Sequence, residues 1–283
     1  MAAGSWAQIF ANEPDPAFKR RAEAIGTWLW ELIGRQPLPT ILDLGCGRGF
    51  YFPLYTALGA QYIIGIDGED AVLNEARERG RADGVGLMVG DAARLALPSD
   101  SVDAVVMSEI LEHLDDPLAA LKEAFRVLRP GGHLIVTVPN RNYPFLWDPI
   151  NWLLERSIGR PIRRGVLAGI WANHVRLYDE ASLVAELRAA GFEVAEVLFQ
   201  THGCFPFAHN ILYGFGMPLL QRGLIPKAWR ASAERAAPGA RPQRFDLLAA
   251  AIRIFYWFDS RNRRSEAPAT STVNICVLAT RRP

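Results

Sequence analysis

Cysteine is scarce in this sequence. Its 283 residues include three cysteines, Cys46, Cys204 and Cys276, which lie far apart. That number and spacing exclude a disulfide framework and a zinc site, so we expect a reducing compartment. No apolar run reaches the roughly 18 to 20 residues that a membrane span needs. Residues 1–12 also lack the basic and apolar regions of a signal peptide, and we expect a cytoplasmic protein.

The sequence also has little net charge. The formal charge is +1, so no global basic field favours nucleic acid as a partner. The charge is distributed unevenly along the chain. Residues 201–283 hold 12 Lys and Arg and 4 Asp and Glu, whereas residues 1–200 hold 19 Lys and Arg and 26 Asp and Glu. Half of the residues are hydrophobic, which is enough for one sizeable core with an added subdomain.

Seven apolar runs are typical of β-strands. Helical patterns and turns separate the first six, which predicts an α/β fold with a mostly parallel sheet and helices on both faces. A seventh strand cannot enter the sheet in parallel through a short turn, so we expect it to pair antiparallel beside the sixth. The runs are residues 41–44, 61–67, 85–89, 102–107, 134–138, 192–199 and 272–280.

Residues 40–58 combine a strand, a glycine turn and a helix. Gly45, Gly47 and Gly49 allow a tight turn and a close ligand, because no Cβ blocks the approach. Asp67 lies 22 residues beyond Gly45, at the end of the second strand. In dinucleotide-binding folds an acid at about this distance accepts hydrogen bonds from ribose hydroxyls. The alternative is that Asp67 caps the helix predicted at 69–79.

Six motifs, in this order and spacing, resemble the class I S-adenosylmethionine-dependent methyltransferases. The likeness covers residues 38–200 and 271–280. A nicotinamide dehydrogenase fits less well, since its G-x-G-x-x-G fingerprint needs the third glycine one residue later than Gly49. The motifs are Leu42-Asp43-Leu44-Gly45-Cys46-Gly47-Arg48-Gly49, Gly65-Ile66-Asp67, Gly90-Asp91-Ala92, Ser108-Glu109-Ile110-Leu111-Glu112-His113-Leu114, Leu128-Arg129-Pro130-Gly131-Gly132 and His174-Val175-Arg176-Leu177-Tyr178.

The resemblance implies a Rossmann-like fold and S-adenosylmethionine as cofactor. It places the glycine turn against the methionine part, an acid on the ribose, another on the adenine amino group, and two residues on the site floor. Asp43 would steady the turn and bind the cofactor's ammonium through water. The implied cofactor-binding residues are Asp43, Gly45, Cys46, Gly47, Gly49, Asp67, Gly68, Asp91, Ala92, Ser108 and Glu109.

Two histidines are candidates for proton removal, because imidazole titrates near neutral pH. His113 follows the fourth strand and His174 ends an interruption of the α/β pattern. Both are predicted as catalytic, although His113 could instead cap a loop. If the turn at 109–113 is helical, Glu109, Glu112 and His113 share one face. Some quinone and RNA-end methyltransferases bind a divalent metal at a similar turn, but metal-free relatives share it, and we expect no metal here.

Two inserts carry the expected substrate specificity. We divide the chain into a helical lead-in at 1–36 and a core at 37–200 and 271–283, with a substrate lid at 139–175 and a helical, apolar and basic insert at 200–270. Both inserts combine apolar and aromatic residues with arginines, which favours a small apolar or amphipathic acceptor, lipid-like or aromatic, methylated at oxygen. Insert 200–270 could also contact an anionic membrane or form a homodimer interface.

Two other functions stay open at this point. The first is methyl transfer to RNA or another macromolecule, although no nucleic-acid-binding module is recognisable and we expect no nucleic-acid partner. The second is a non-catalytic protein that keeps the fold and the cofactor site.

Overall fold

The structure is a computed structural model. It describes residues 9–10, 13, 15–35, 38–79, 84–207, 210–211, 254, 257–262 and 271–282. Most of the predicted insert at 200–270, with its proposed membrane or dimer contact, therefore lies outside the described residues, as do residues 1–8 of the lead-in.

Seven strands form one sheet in the order β3-β2-β1-β4-β5-β7-β6. Neighbours among β1 to β5 pair in parallel, whereas β7 pairs antiparallel with both β5 and β6. This confirms the predicted fold and the antiparallel last strand. The strands are β1 (Thr40–Leu44), β2 (Tyr62–Asp67), β3 (Val85–Val89), β4 (Val102–Ser108), β5 (Leu128–Pro139), β6 (Glu193–Gln200) and β7 (Asn274–Thr280).

Six α-helices are named in the described part of the chain: α1 (Pro16–Ile33), α2 (Phe52–Ala57), α3 (Asp70–Arg79), α4 (Pro117–Val127), α5 (Pro149–Ile158) and α6 (Glu180–Ala189). Four of them begin in the same way, with an aspartate whose carboxylate accepts a hydrogen bond from a backbone N–H of the first turn. Three of those four also carry proline within the first helical positions, where no N–H is required. The four aspartates are Asp15, Asp116, Asp148 and Asp179.

Apolar cores lie on the two faces of the sheet. Helices α4 and α6 cover one face, where Leu121 and Leu187 pack against strand residues such as Val105. Helices α1, α2 and α3 cover the other, with Trp28 and Leu73 among the buried side chains. Because both faces are covered, the central strands are almost continuously apolar, as parallel strands in α/β proteins are.

Strand β5 differs from its prediction. Pro130, Gly131 and Gly132 do not form a turn before the strand but belong to it as a bulge. The pairing with β4 passes from Val102–Leu128 directly to Ala104–His133. Gly131 adopts a φ of 79°, which a residue with a Cβ rarely takes, so glycine permits the bulge.

The predicted lid at 139–175 contains one helix, α5, and a short 3₁₀ turn, Gly169–Trp171. Asp148 joins the two: its carboxylate accepts hydrogen bonds from Asn151 and from the backbone N–H of Ile170. Tyr143, Trp147 and Trp171 form a third apolar cluster beneath the lid. None of the helices in the described part of the chain is long and apolar enough to cross a membrane.

Candidate active site

The glycine turn after β1 is shaped by three positive φ angles, 77° at Gly45, 50° at Gly47 and 67° at Gly49. The three glycines have different surroundings. A Cβ on Gly45 would lie 2.6 Å from the Ile110 side chain, and one on Gly49 would lie 2.5 Å from the Phe52 ring. A Cβ on Gly47 would meet nothing within 4 Å. Gly47 therefore leaves open space over the turn, while its two neighbours allow the turn to pack closely.

Asp67 connects this turn to the end of β2. Its Oδ2 accepts a hydrogen bond from the Gly47 N–H at 2.8 Å, and its Oδ1 accepts one from the Glu69 N–H at 3.0 Å. Each carboxylate oxygen can accept a second donor, so Asp67 keeps acceptor capacity for hydroxyl groups. The adjacent Gly68 is exposed. Asp67 thus organises both the turn and the start of α3, while it remains able to bind a ribose.

Asp43 is completely buried below the same turn. Burial raises the pKa of its carboxyl to about 7, the nearby Tyr55 hydroxyl opposes the shift, and Asp67 adds to it. Its Oδ2 accepts no hydrogen bond from the described residues. An unsatisfied buried carboxylate oxygen is costly unless a donor or cation binds it. Burial and the charge of Asp43 also raise the pKa of the Cys46 thiol, so Cys46 stays a neutral thiol.

The third acidic position follows β3. Asp91 is exposed and accepts a hydrogen bond from the Ala93 N–H at 2.9 Å, while Ala92 beside it is buried. The Gly90 N–H donates to the Asp67 carbonyl, which holds the ends of β2 and β3 together. Asp91 therefore stands at the same edge of the sheet as Asp67, with an apolar residue next to it.

These groups fit S-adenosylmethionine. The open space at Gly47 could hold its methionine part, the oxygen of the buried Asp43 that has no partner among the described residues could bind its ammonium through water, and Asp67 can accept from its ribose hydroxyls. Asp91 and Ala92 offer an acceptor and an apolar contact for adenine. When bound, the cofactor supplies a methyl group activated on a sulfonium sulfur.

A polar chain runs along the floor of the site, at the carboxyl ends of β4 and β5. The Tyr51 hydroxyl lies 3.1 Å from Ser108 Oγ, which lies 2.9 Å from Thr137 Oγ1. Thr137 donates to Glu109 Oε1 at 3.1 Å. Ser108 and Glu109 are predicted from the sequence to line the floor of the site. They are held there by Tyr51, which precedes α2, and by Thr137 of β5.

Two further residues hold the Glu109 carboxylate. Asn274 of β7 donates from Nδ2 to both of its oxygens at 3.2 Å. Arg21 of α1 places a guanidinium nitrogen 3.4 Å from Glu109 Oε2 and 3.3 Å from Asn274 Oδ1. Glu109 has a φ of 57°, a left-handed conformation that only a few per cent of non-glycine residues adopt. The network holds Glu109 in this uncommon backbone conformation at the site edge.

The two histidines predicted to be catalytic lie next to each other in the structure. The rings of His113 and His174 lie 4.7 Å apart and nearly perpendicular. His113 Nδ1 lies 3.0 Å from the Asn173 carbonyl, which can only accept, so Nδ1 carries the hydrogen and the neutral ring keeps its lone pair on Nε2. The 139–175 insert thus delivers His174 to the loop after β4.

Glu112 lies behind both rings and is completely buried. Its Oε1 is 3.9 Å from His174 Nε2 and 4.0 Å from His113 Nε2, and neither of its oxygens has a hydrogen-bond partner among the described residues. Burial, with the charge of Glu109, raises the pKa of Glu112 well above its ordinary range. Ligand atoms of Glu112, His113 and His174 lie within 4.8 Å of one another, close enough to hold a metal ion. Glu109 instead faces Asn274, Thr137 and Arg21.

Sequence reasoning did not identify four residues of the floor network. Thr137 has a visible signal, because it is the polar residue in an otherwise apolar strand, and Asn274 similarly begins an apolar strand. Arg21 and Tyr51 carry no local signal, since their roles depend on how the α1 helix and the glycine turn pack on the sheet.

Proteins similar to this chain are methyltransferases. A family model described as a methyltransferase domain matches residues 42–136. A probable S-adenosylmethionine-dependent methyltransferase of Mycolicibacterium smegmatis is 32% identical over 75% of this chain and 76% of its own length. The ubiquinone biosynthesis O-methyltransferase of Marinobacter nauticus is 29% identical over 57% and 66%. The demethylmenaquinone methyltransferase of Mycobacterium sp. strain KMS is 31% identical over 56% and 70%.

Solved structures support the fold. A SAM-dependent methyltransferase from Archaeoglobus fulgidus superposes with a TM-score of 0.51 at 16% identity, covering 92% of this chain and 94% of that one. At such identity the likeness concerns the fold alone. The sequence relatives identify S-adenosylmethionine as the cofactor and methyl transfer as the activity. This chain belongs to the S-adenosylmethionine-dependent methyltransferases.

Proposed function

We propose that this methyltransferase acts on a small apolar or amphipathic acceptor, lipid-like or aromatic, and methylates it at oxygen. The observation that carries the proposal is the group of Glu112, His113 and His174 at the end of β4. A hydroxyl nucleophile must lose its proton, so a base is needed, whereas an amine or a thiolate needs less help.

His113 is suited to accept that proton at Nε2, the nitrogen that keeps a lone pair when Nδ1 donates to Asn173. The ring of His174 lies 4.7 Å from the ring of His113, and Glu112 Oε1 lies 4.0 Å from His113 Nε2. A buried carboxyl with a raised pKa stays neutral beside neutral imidazoles, and it ionises more readily once a neighbouring ring becomes cationic. Glu112 would therefore stabilise the imidazolium that forms when the proton is removed.

The relatives support an apolar acceptor. Two proteins about 30% identical to this chain carry names that refer to ubiquinone biosynthesis O-methylation and to demethylmenaquinone. The insert at 139–175 offers matching chemistry, since Phe145 and Leu146 are exposed there and Trp152 lies beside them. We expect the aromatic and aliphatic side chains of this insert to contact the acceptor and exclude water.

The experiment is a methyl-transfer assay with radiolabelled S-adenosylmethionine and an acceptor panel of alkylated phenols and catechols, short carboxylates, and RNA. We expect transfer to the apolar phenols, and a loss of about 10² to 10⁴-fold in His113→Gln and His174→Gln. His133→Gln is the matched control, because His133 lies in the middle of β5, where its Nδ1 is 3.3 Å from Thr280 Oγ1 and apart from the candidate base. Calorimetry of cofactor binding accompanies each variant.

Three results would contradict the proposal. Transfer to RNA but not to phenols would favour the macromolecular alternative. Cofactor binding without transfer to any acceptor would favour a non-catalytic protein. Unchanged turnover in both histidine variants would show that neither histidine is the base.

A further inference from the structure

The outer surface of the 139–175 insert exposes an unusual number of large apolar side chains. Thirteen such side chains are exposed in the described residues, and seven belong to this insert, including Leu153 at 59% and Ile158 at 62%. Single exposed apolar residues are normal, but a concentration in one segment indicates an interaction site. The seven are Phe145, Leu146, Leu153, Ile158, Val166, Leu167 and Val175.

Two aromatic side chains of this segment contact each other. The rings of Phe145 and Trp152 lie 5.3 Å apart, edge to face. The Phe207 N–H donates to the Leu146 carbonyl at 2.8 Å, and the Phe207 side chain is exposed as well. The insert therefore presents an apolar surface that the described residues leave open to solvent.

The charges on this surface have one sign. Five arginines of the insert are exposed, whereas Asp148 is buried and Glu155 is half-buried, with its Oε1 4.0 Å from Arg141 Nε. Asp148 is buried and bonded to Asn151 and Ile170. Glu155 accepts hydrogen bonds from the Tyr143 hydroxyl and from Trp171 Nε1. The arginines are Arg141, Arg156, Arg160, Arg163 and Arg164.

Two of the arginines stack on tryptophan rings. The guanidinium of Arg156 lies 4.2 Å from the Trp152 ring centroid, and that of Arg163 lies 4.8 Å from the centroid of Trp171. Trp171 is buried and Trp152 is partly exposed, so it is the Arg156–Trp152 pair that suits the water–lipid interface, where the ring lies at head-group depth and the charge meets phosphate.

From this combination we infer that the outer surface of the 139–175 insert binds an anionic lipid bilayer. The exposed apolar side chains enter the head-group region, and the arginines meet the anionic head groups. The insert ends at His174, so bilayer binding would bring an apolar acceptor to the candidate base. The inference adds to the proposed function but is independent of turnover, because the binding needs no methyl transfer.

The test is vesicle co-sedimentation of the full chain. Vesicles of phosphatidylcholine alone are compared with vesicles containing 30% phosphatidylglycerol, at low and high salt. We expect binding to the anionic vesicles only, and weaker binding at high salt, because the surface charges are screened. The triple variant Arg160→Gln, Arg163→Gln, Arg164→Gln should bind roughly a hundredfold more weakly, at about fivefold for each arginine near the surface.

A matched control removes the same charge elsewhere. Arg35→Gln, Arg77→Gln, Arg188→Gln changes three exposed arginines outside the insert and should bind vesicles like the parent chain. A second pair tests the apolar contribution: Leu153→Ser with Ile158→Ser should weaken binding, whereas Tyr62→Ser, which alters an equally exposed side chain on β2, should not. Circular dichroism and cofactor affinity confirm that each variant is folded.

Three outcomes would overturn the inference. The first is no binding to anionic vesicles at low salt. The second is equal loss in the insert variants and their controls, which would place any contact elsewhere on the chain. The third is binding of a single-stranded RNA, followed by fluorescence anisotropy, that the insert variants abolish while vesicles are not bound. Methyl transfer to the phenol panel in detergent is measured separately, so a failure here leaves the proposed function testable.

Discussion

The guanidinium of Arg21 lies 3.4 Å from the carboxylate of Glu109, and this pair joins the N-terminal helix to the floor of the active site. Asn274 of the last strand binds both partners. Three segments that are distant in sequence therefore meet at the carboxyl edge of the sheet. The side chain of Arg21 is only 11% exposed, so solvent weakens the interaction little.

Arg21 is far in sequence from the other residues of the site, but its replacement should lower kcat. In Arg21→Met the Glu109 carboxylate keeps its hydrogen bonds from Thr137 and Asn274 but loses its cation, and we expect kcat to fall about 10- to 100-fold, with a stability loss of about 1–3 kcal/mol from the lost charged contact. Arg21→Lys should restore part of kcat. Steady-state kinetics and urea unfolding measure the two effects, with the exposed Arg188→Met as control. Normal kcat in Arg21→Met would show that the pair serves stability alone.

The sheet could be predicted from the sequence because its signals are local. Strands β1 to β4 are short apolar runs bounded by glycine, proline or acidic residues, and such a run has few alternatives to a buried strand. The antiparallel direction of β7 followed from the expectation that it pairs with β6. Its position between β5 and β6 did not, because strand order depends on non-local pairing.

The site could be predicted only in part. Asp67 and the glycines follow each other at fixed distances along the chain, so the backbone itself sets their geometry. Arg21 reaches Glu109 only through the packing of α1 against the sheet, and no spacing rule describes that contact. The burial of Glu112 behind two imidazoles likewise depends on where the 139–175 insert returns to β4.

The stability of the chain should depend on pH through Asp43. Its carboxyl has a pKa of about 7 in the folded chain, against an ordinary value of 3.8. Between these values the folded state holds a proton that the unfolded state has released, so stability falls as pH rises from about 4 to 7 and stays lower above that. Asp43→Asn should remove this dependence and raise stability at pH 8 by about 2–4 kcal/mol.

The Asp43→Asn substitution should also weaken binding of the cofactor. Affinity for S-adenosylmethionine should increase as pH rises through about 7 in the parent chain, because the ionised Asp43 attracts the ammonium. In Asp43→Asn it should be lower and nearly independent of pH. Denaturant unfolding and calorimetry from pH 5 to 8 give both quantities. The exposed Asp115→Asn should change neither, and equal pH profiles for Asp43→Asn and the parent chain would refute the assignment.

Chelation of divalent metal ions should leave methyl transfer unchanged. Burial raises the pKa of Glu112, which favours its neutral form, and Glu109 is engaged by Arg21 and Asn274 rather than by the histidines. A neutral carboxyl is a poor metal ligand. The test measures methyl transfer after dialysis against EDTA and the metal content of the purified protein. Inactivation by EDTA and recovery with Mg²⁺, Mn²⁺ or Zn²⁺ would instead establish a metal centre at Glu112, His113 and His174.

Arg20 and Asp259 form a buried ion pair that fastens residues 257–262 to α1. Two guanidinium nitrogens of Arg20 contact the two Asp259 oxygens at 2.8 Å, and the side chains are 9% and 4% exposed. Arg20→Met leaves the carboxylate buried without its cation, which should cost about 3–5 kcal/mol in urea unfolding.

Replacement of both partners should be far less costly than replacement of one. In Arg20→Met, Asp259→Leu no charge is left buried, so most of the lost stability should return. Arg77→Met, an exposed arginine of α3, is the control and should change stability by less than about 0.5 kcal/mol. If the double variant is no more stable than Arg20→Met, the loss reflects packing of the arginine stem, because removal of the unpaired carboxylate would then have no effect.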